Sequence, residues 1–310
     1  MRQLTLANLP SGEVTVDIAY SSINYKDALA VTGTGKIIRG KYPIVPGIDL
    51  AGRVRTSSSA GFEPGDNVIL TGSGLGELRW GGYSQVQAVP AEFMVPLPRG
   101  MTLRTSMILG TAGLTAMLSI LALQRHGITS GTVVVTGASG GVGMTAVFLL
   151  SQLGYRVIAS CGSRHLWHKL QTLGADHTEE RLYAEKPLER SSWDGGIDAA
   201  GGAQLAAVLA GVRRNGCVAA SGNAGGAELR TTVYPFILRG VTLAGIDSNT
   251  AMVANRKLAW TRLQELVSEV DANRLLMSTV SLPEIPSVCK AKMAGRAPGR
   301  FIVDLGRSDS

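Results

Sequence analysis

A chain of 310 residues, 45% of them hydrophobic, can bury a substantial core, and its length sits nearer two domains than one. The formal charge of +7 comes with only 17% charged residues and no run of Lys or Arg long enough to track a nucleic-acid backbone. The basic balance therefore reads as a surface that draws in phosphorylated small molecules, and no nucleic-acid partner is expected. Cys161, Cys217 and Cys289 are odd in number and lack CxxC spacing, which supports neither a disulfide framework nor a zinc cluster. With no apolar leader at Met1-Arg2-Gln3-Leu4-Thr5, a cytoplasmic setting is expected.

From about residue 12 to 100 the chain runs in short β-branched stretches such as Val14-Thr15-Val16-Asp17-Ile18 and Asn67-Val68-Ile69-Leu70. Turn signals at Leu9-Pro10-Ser11-Gly12, Pro46-Gly47 and Glu63-Pro64-Gly65-Asp66 separate them, so a small β-rich domain is expected. Asn24 and Asp27 are good caps for a helix starting near Asp27. After Pro96-Leu97-Pro98-Arg99-Gly100, helical stretches alternate with the strand candidates Val133–Val135, Arg156–Ala159, Ile197–Ala199, Cys217–Ala220 and Val241–Ala244. That alternation predicts a doubly wound parallel sheet, an α/β fold. Two uncharged stretches, Thr105 to Gln124 and Gly127 to Tyr155, raise the question of a membrane span. Gly110, Thr111, Gly113 and Ser119 interrupt the first and Gly137 to Gly143 the second, so a buried helix and a strand–turn–helix are expected instead, with no membrane association. Past Asp247 the pattern predicts a helix from about Ala251 to Val270, another after Pro286, and a closing strand over Phe301–Leu305 that returns to the first domain's sheet.

The densest chemical signal is Val133-Val134-Val135-Thr136-Gly137-Ala138-Ser139-Gly140-Gly141-Val142-Gly143. Its glycines follow a buried strand and open an apolar helix, the setting in which a helix N-terminus holds a dinucleotide pyrophosphate. About twenty residues on, where an NAD site places an acid, the chain has Ser160-Cys161-Gly162-Ser163-Arg164. A hydroxyl and a guanidinium suit a ribose 2′-phosphate, so NADPH is favoured over NADH. The glycine pattern also fits short-chain dehydrogenases, but no tyrosine here is followed four positions later by Lys. His165 and His168 are three apart, with no Asp, Glu or Cys partner in a recognisable arrangement, and no metal site is expected from them.

A β-rich domain followed by a nucleotide fold resembles the medium-chain dehydrogenase/reductase superfamily. Ser21-Ser22-Ile23-Asn24-Tyr25-Lys26-Asp27, Pro43 to Gly52, Trp80-Gly81-Gly82-Tyr83, Gly110 to Met117 and Pro235 to Gly240 are similar to its zinc-independent, quinone-oxidoreductase-like branch, and within it to the bacterial acryloyl-CoA reductases. The resemblance covers about residues 10 to 305. It implies a GroES-like catalytic domain of residues 1–101 with 249–310 and a Rossmann domain of 102–248. In relatives an extra strand and turn precede the segment matching Leu4 to Val16, and their absence implies an exposed sheet edge or a misassigned start. Zinc-dependent relatives place a cysteine near Asn24 and a Gly-His-Glu where this chain has Gly47-Ile48-Asp49, so a zinc-free reaction is implied.

What remains is hydride transfer to a carbon–carbon double bond conjugated to a carbonyl, and the resemblance implies NADPH as donor and a short acyl-CoA such as acryloyl-CoA as substrate. The resemblance implies that Asn24, Tyr25 and Asp27 serve catalysis, Tyr25 beside the nicotinamide and Asn24 and Asp27 fixing its loop. It further implies cofactor contacts from Tyr25, Thr111, Ser139, Gly140, Gly141, Val142, Cys161, Ser163, Arg164, Asn223, Leu238, Ile246, Ser248 and Arg300, with Trp80 and Tyr83 as packing or acyl lining. A homodimer paired through Val241–Ala244 is expected. Reduction of quinones or free enones, and an NADPH-binding interaction protein without turnover, stay open.

Overall fold

The computed structural model describes residue 3 and residues 5–306; Leu4, where the expected first segment opens, lies outside them. The chain divides into two units, one of residues up to Thr111 with those from Ser248 on, the other Ala112–Asp247. The first crossing thus falls after Thr111 rather than between 101 and 102.

The first unit begins with β1 (Val14–Ser22), α1 (Tyr25–Thr32), β2 (Asp49–Ser57), β3 (Asn67–Thr71), β4 (Val86–Val89) and β5 (Val95–Pro96), and α2 (Leu103–Arg125) leads out of it. The second unit contains β6 (Thr132–Thr136), α3 (Gly141–Gln152), β7 (Arg156–Ser160), α4 (Trp167–Thr172), β8 (His177–Glu179), β9 (Trp193–Asp198), α5 (Gly202–Gly211), β10 (Val212–Ala220), α6 (Tyr234–Arg239) and β11 (Thr242–Gly245). The chain then rejoins the first unit with α7 (Val253–Leu266), α8 (Glu269–Leu275), β12 (Leu276–Val280), α9 (Ile285–Met293) and β13 (Arg300–Asp304).

The first unit's sheet has the order β12-β13-β1-β2-β3-β5, with β4 also on β1. Alternation puts Val14, Val16 and Ile18 of β1 inside, where they pack with Leu50, Val68 and Leu70 and with Ile285 and Cys289 of α9. The first strand is therefore central, and the sheet ends at β12 and β5. The closing strand is found at Arg300–Asp304, where it pairs antiparallel with β1 through Tyr20 and Asp304.

In the second unit all neighbouring strands run parallel in the order β11-β10-β9-β6-β7-β8. Parallel strands covered on both faces need unbroken apolar runs, and Val133, Val134 and Val135 are all buried. The order reverses between β6 and β9, which opens a crevice at the carboxyl ends of these strands. Helix α2 is long and apolar enough to cross a membrane, yet its most apolar window is 83% buried within the chain.

Two helix expectations need correction. Helix α1 starts at Tyr25, with Asn24 as its N-cap and Asp27 closing the capping box, rather than near Asp27. The helix expected over Ala251–Val270 stops at Leu266, because Ser268 accepts from Asp271 N–H and caps a separate α8.

Candidate active site

In the second unit the glycine turn lies at the carboxyl end of β6. Gly140 is the N-cap of α3, so the backbone N–H groups of Gly141, Val142 and Gly143 occupy the first turn, where a helix has no internal partners for them. A Cβ at Gly143 would stand 2.3 Å from the Gly137 carbonyl oxygen and 2.6 Å from Ala138 Cα. Only glycine lets the helix sit this close to the turn and aim its N–H groups at a bound anion. Beneath it, the fully buried Asp198 accepts from Thr136 Oγ1 at 2.5 Å and from Gly201 N–H at 2.8 Å, tying the ends of β6 and β9 together at the crevice. Burial raises the Asp198 pKa, against the lowering effect of these donors. No motif singled out Asp198.

After β7 the turn Ser160–Ser163 is fixed from both sides. Ser160 Oγ donates to the Glu180 carbonyl at 2.9 Å, Cys161 N–H donates to the Glu179 carbonyl at 2.9 Å, and Trp167 Nε1 donates to the Cys161 carbonyl at 2.9 Å. The Cys161 thiol is buried and accepts from Ser163 N–H at 3.3 Å, so this side chain serves the turn itself. Arg164 is exposed, stacks 5.6 Å over the Trp167 ring and pairs with Glu180, Nε donating to Oε1 at 2.7 Å. A second guanidinium flanks the same turn: a Cβ at Gly162 would lie 2.7 Å from Arg181 Nε. Arg181 was invisible in the sequence because it follows β8, a three-residue strand with no apolar pattern, and only the parallel pairing of β8 with β7 brings it alongside.

Ser139 to Val142, Cys161, Ser163, Arg164, Asn223 and Ile246 all follow the carboxyl ends of β6, β7, β10 and β11, one edge of the parallel sheet. Leu238 stands elsewhere, on α6, with 49% of its surface exposed. The turns at this edge fit a dinucleotide: a glycine cradle that a side chain would fill, a helix N-terminus, and two cations beside the turn that would meet an adenosine phosphate.

In the first unit, three of the expected residues, Asn24, Thr111 and Arg300, converge around Asp49, a residue of the Gly47-Ile48-Asp49 stretch to which the sequence assigns no role. Asp49 is fully buried and its carboxylate accepts from Ser22 Oγ at 2.5 Å, Asn24 Nδ2 at 2.8 Å, Thr111 N–H at 3.0 Å and Thr111 Oγ1 at 2.5 Å. Arg300, 1% exposed, donates to the carbonyls of Ile108 at 2.6 Å and Met107 at 3.2 Å and to Asn24 Oδ1 at 3.0 Å. Its guanidinium is spent inside this network, which corrects the expectation that it closes a cofactor pocket. Gly110 takes φ +50°, and a Cβ there would meet Asp49 Oδ2 at 2.6 Å and Arg300 Nη2 at 2.8 Å. This close approach kinks α2 and explains why the first unit extends to Thr111.

Asp27 is buried and accepts from Asn24 N–H and Ile48 N–H, each at 2.8 Å. Burial pushes its carboxyl up to about 7, with the nearby Asp49 charge adding to the rise. Tyr25, by contrast, is 39% exposed at the first position of α1, held there by the buried Asn24–Asp27 capping box. Asn24 and Asp27 therefore fix the loop, and Tyr25 presents its ring outward. Ser248 gives its carbonyl to the buried Arg256 at 2.9 Å, which also donates to Thr71, Asn249 and Ala251 carbonyls. Tyr83 donates to the Ser22 carbonyl at 3.2 Å and Trp80 Nε1 to the Pro43 carbonyl at 2.9 Å, both bracing loops. Among the described residues no group of three or more His, Cys, Asp and Glu is placed to hold a metal.

A GroES-like β unit joined to a parallel nucleotide fold defines a two-part oxidoreductase. Residues 10–99 match the alcohol dehydrogenase GroES-like domain and residues 141–268 the zinc-binding dehydrogenase family. The chain belongs to the medium-chain dehydrogenase/reductase superfamily. Among its relatives, acrylyl-CoA reductase AcuI of Ruegeria pomeroyi is 46% identical, with 98% of this chain and 94% of that protein covered. The crystal structure of Escherichia coli K-12 YhdH with bound NADPH is 46% identical and superposes with a TM-score of 0.96, covering 99% of this chain and 95% of the other. Bacillus subtilis yhfP with NAD bound is 42% identical, with a TM-score of 0.93 and coverage of 97% and 93%.

Proposed function

We propose that the chain is an NADPH-dependent reductase of short α,β-unsaturated acyl-CoA thioesters, turning acryloyl-CoA into propanoyl-CoA. The observation that carries the reading is the turn Ser160–Ser163, flanked by the guanidinium groups of Arg164 and Arg181 where an NAD site would place an acid. Likeness to AcuI along nearly the whole chain supports the substrate class.

When bound, NADPH supplies the hydride that goes to the β-carbon of the enoyl thioester. The N-terminal turn of α3 would hold the pyrophosphate, Arg164 and Arg181 the 2′-phosphate, and the turns at Asn223 and Ile246 the nicotinamide riboside. Asn24 and Ile48 stand where zinc-dependent members carry Cys and His, so stabilising the developing enolate falls to hydrogen-bond donors, one of which is worth about 3–4 kcal/mol in such a site. Tyr25, held at the start of α1 by the capping box, acts beside the reacting atoms as proton relay to the α-carbon. The edge strand β11, paired only with β10 among the described strands, forms the two-fold contact of a homodimer, and the three free, buried cysteines suit a cytoplasmic setting.

Stopped-flow NADPH oxidation with acryloyl-CoA, crotonyl-CoA and a simple quinone tests the assignment. Rapid oxidation with acryloyl-CoA is expected; turnover with the quinone alone would replace it with quinone reduction, and no oxidation with any of them would leave a binding protein. Tyr25→Phe should lower turnover far more than NADPH affinity, and unchanged turnover would remove the relay. Sedimentation at micromolar concentration should give a dimer mass.

A further inference from the structure

Between α1 and β2 the chain makes an excursion over residues 33–48 that the reaction assignment leaves without a task. It carries Lys36, Arg39 and Lys41, and with Lys26 at the foot of α1 the stretch from 26 to 48 holds four cations. Its single acid, Asp27, is buried and engaged with backbone N–H groups.

The excursion is fastened at two points. Arg39 N–H and Gly40 N–H donate to the Glu77 carbonyl at 2.9 and 2.8 Å, and Trp80 Nε1 donates to the Pro43 carbonyl at 2.9 Å. The Glu77 carboxylate, only 4% exposed, sits between Lys26 Nζ at 2.7 Å and Arg39 Nη2 at 3.0 Å and fixes both cations. Lys41 and Tyr42 lie between the fastenings, and Tyr42 is 77% exposed; Lys36 is exposed just ahead of them. A flat aromatic ring on a braced backbone, flanked by more positive charge than the one carboxylate neutralises, has the chemistry that recognises a purine carrying several phosphates.

We propose that the Lys36–Tyr42 segment is the docking platform for the 3′-phospho-ADP end of the acyl-CoA substrate, an assignment that rests on the acyl-CoA reading above. Tyr42 stacks on the adenine, and Lys36 and Lys41 meet the 3′-phosphate and diphosphate. The pantetheine arm separates those phosphates from the thioester. Lys26, next to Tyr25 in α1, shares the Glu77 carboxylate with Arg39 of the platform.

The test is the double variant K36A/K41A with the holoenzyme, supported by Tyr42→Ala; all three side chains are exposed, and an unchanged circular-dichroism melt is expected for each. Loss of two solvent-exposed phosphate contacts should raise the KM for acryloyl-CoA about tenfold, leaving kcat and the KM for NADPH unchanged. The KM for acryloyl-pantetheine, which lacks the nucleotide, should stay constant. Calorimetric titration of the NADP-saturated protein with CoA should show the same weakening without any turnover, while ADP and inorganic phosphate should bind wild type more weakly than CoA. Equal effects on both thioesters, or an unchanged CoA dissociation constant, would overturn the platform. If the wild type reduces both thioesters and K36A/K41A changes nothing, the platform falls and the reaction stands. If it reduces neither yet binds CoA through these residues, the reaction falls and the platform stands.

Discussion

Replacing Asp49 by Asn isolates charge from shape in the buried network of the first unit. The carboxamide keeps an oxygen for Ser22 Oγ, Asn24 Nδ2 and Thr111 N–H, which share Oδ2, and its nitrogen faces the Thr111 hydroxyl, which can rotate to accept. What disappears is the negative charge facing Arg300, whose pKa burial lowers and the Asp49 charge raises. Breaking a buried charge pair from one side costs about 3–5 kcal/mol, so Asp49→Asn should destabilise the unit by about 3 kcal/mol. Arg300→Met should cost about 4 kcal/mol, since it leaves Asp49 uncompensated and the Met107 and Ile108 carbonyls without a donor. The double variant removes both charges together and should cost about 4 kcal/mol rather than the sum, a coupling of about 3 kcal/mol. Urea unfolding read by peptide-resolved hydrogen exchange at β1 and β2 separates this unit's transition from the other's. Additive costs, or a loss below about 1 kcal/mol for Asp49→Asn, would refute the argument that these two charges hold each other in place.

Removing either guanidinium beside the Ser160–Ser163 turn, by Arg164→Ala or Arg181→Ala, should raise the KM for NADPH about tenfold while barely moving that for NADH; equal changes for both cofactors would refute the 2′-phosphate assignment. Gly143→Ala drives a methyl into the Gly137 carbonyl 2.3 Å away and should abolish NADPH binding in a fluorescence titration, with a loss of about 2 kcal/mol in the second unit. Lys292 is pulled down to about 8 by burial and by the Arg300 charge, from an ordinary value of 10.5. Between those values the unfolded chain binds a proton that the folded one does not, so stability rises with pH from about 8 to 10.5, by up to about 3 kcal/mol relative to Lys292→Met. Parallel urea midpoints for the two proteins across that window would contradict it.

How much of this was readable beforehand follows from the range of the interactions involved. The glycine turn, β6 and α3 were legible because they are local: an apolar strand, a turn that only glycine permits at 143, and an apolar helix lie within twenty residues of one another. The closing strand was legible because its apolar run had nowhere else to be buried. The break between α7 and α8 was not: the helical pattern continues past Leu266, and the break lies in the extended Val267 and the Ser268–Asp271 capping box that follows it. Arg181, and the role of Asp49, were missed for a stronger reason. Each becomes meaningful only through pairing at long sequence separation, Arg181 through β8 against β7, and Asp49 through hydrogen bonds to residues 25, 27 and 62 positions away. The resemblance pointed to Thr111 and Arg300 as cofactor contacts and to Asn24 as fixing the Tyr25 loop, and the structure joins all three to Asp49 or to each other. A sequence motif reports which residues belong together, and the hydrogen bonds show how: Asn24, Thr111 and Arg300 are engaged in the buried network, while Tyr25 is 39% exposed at the start of α1.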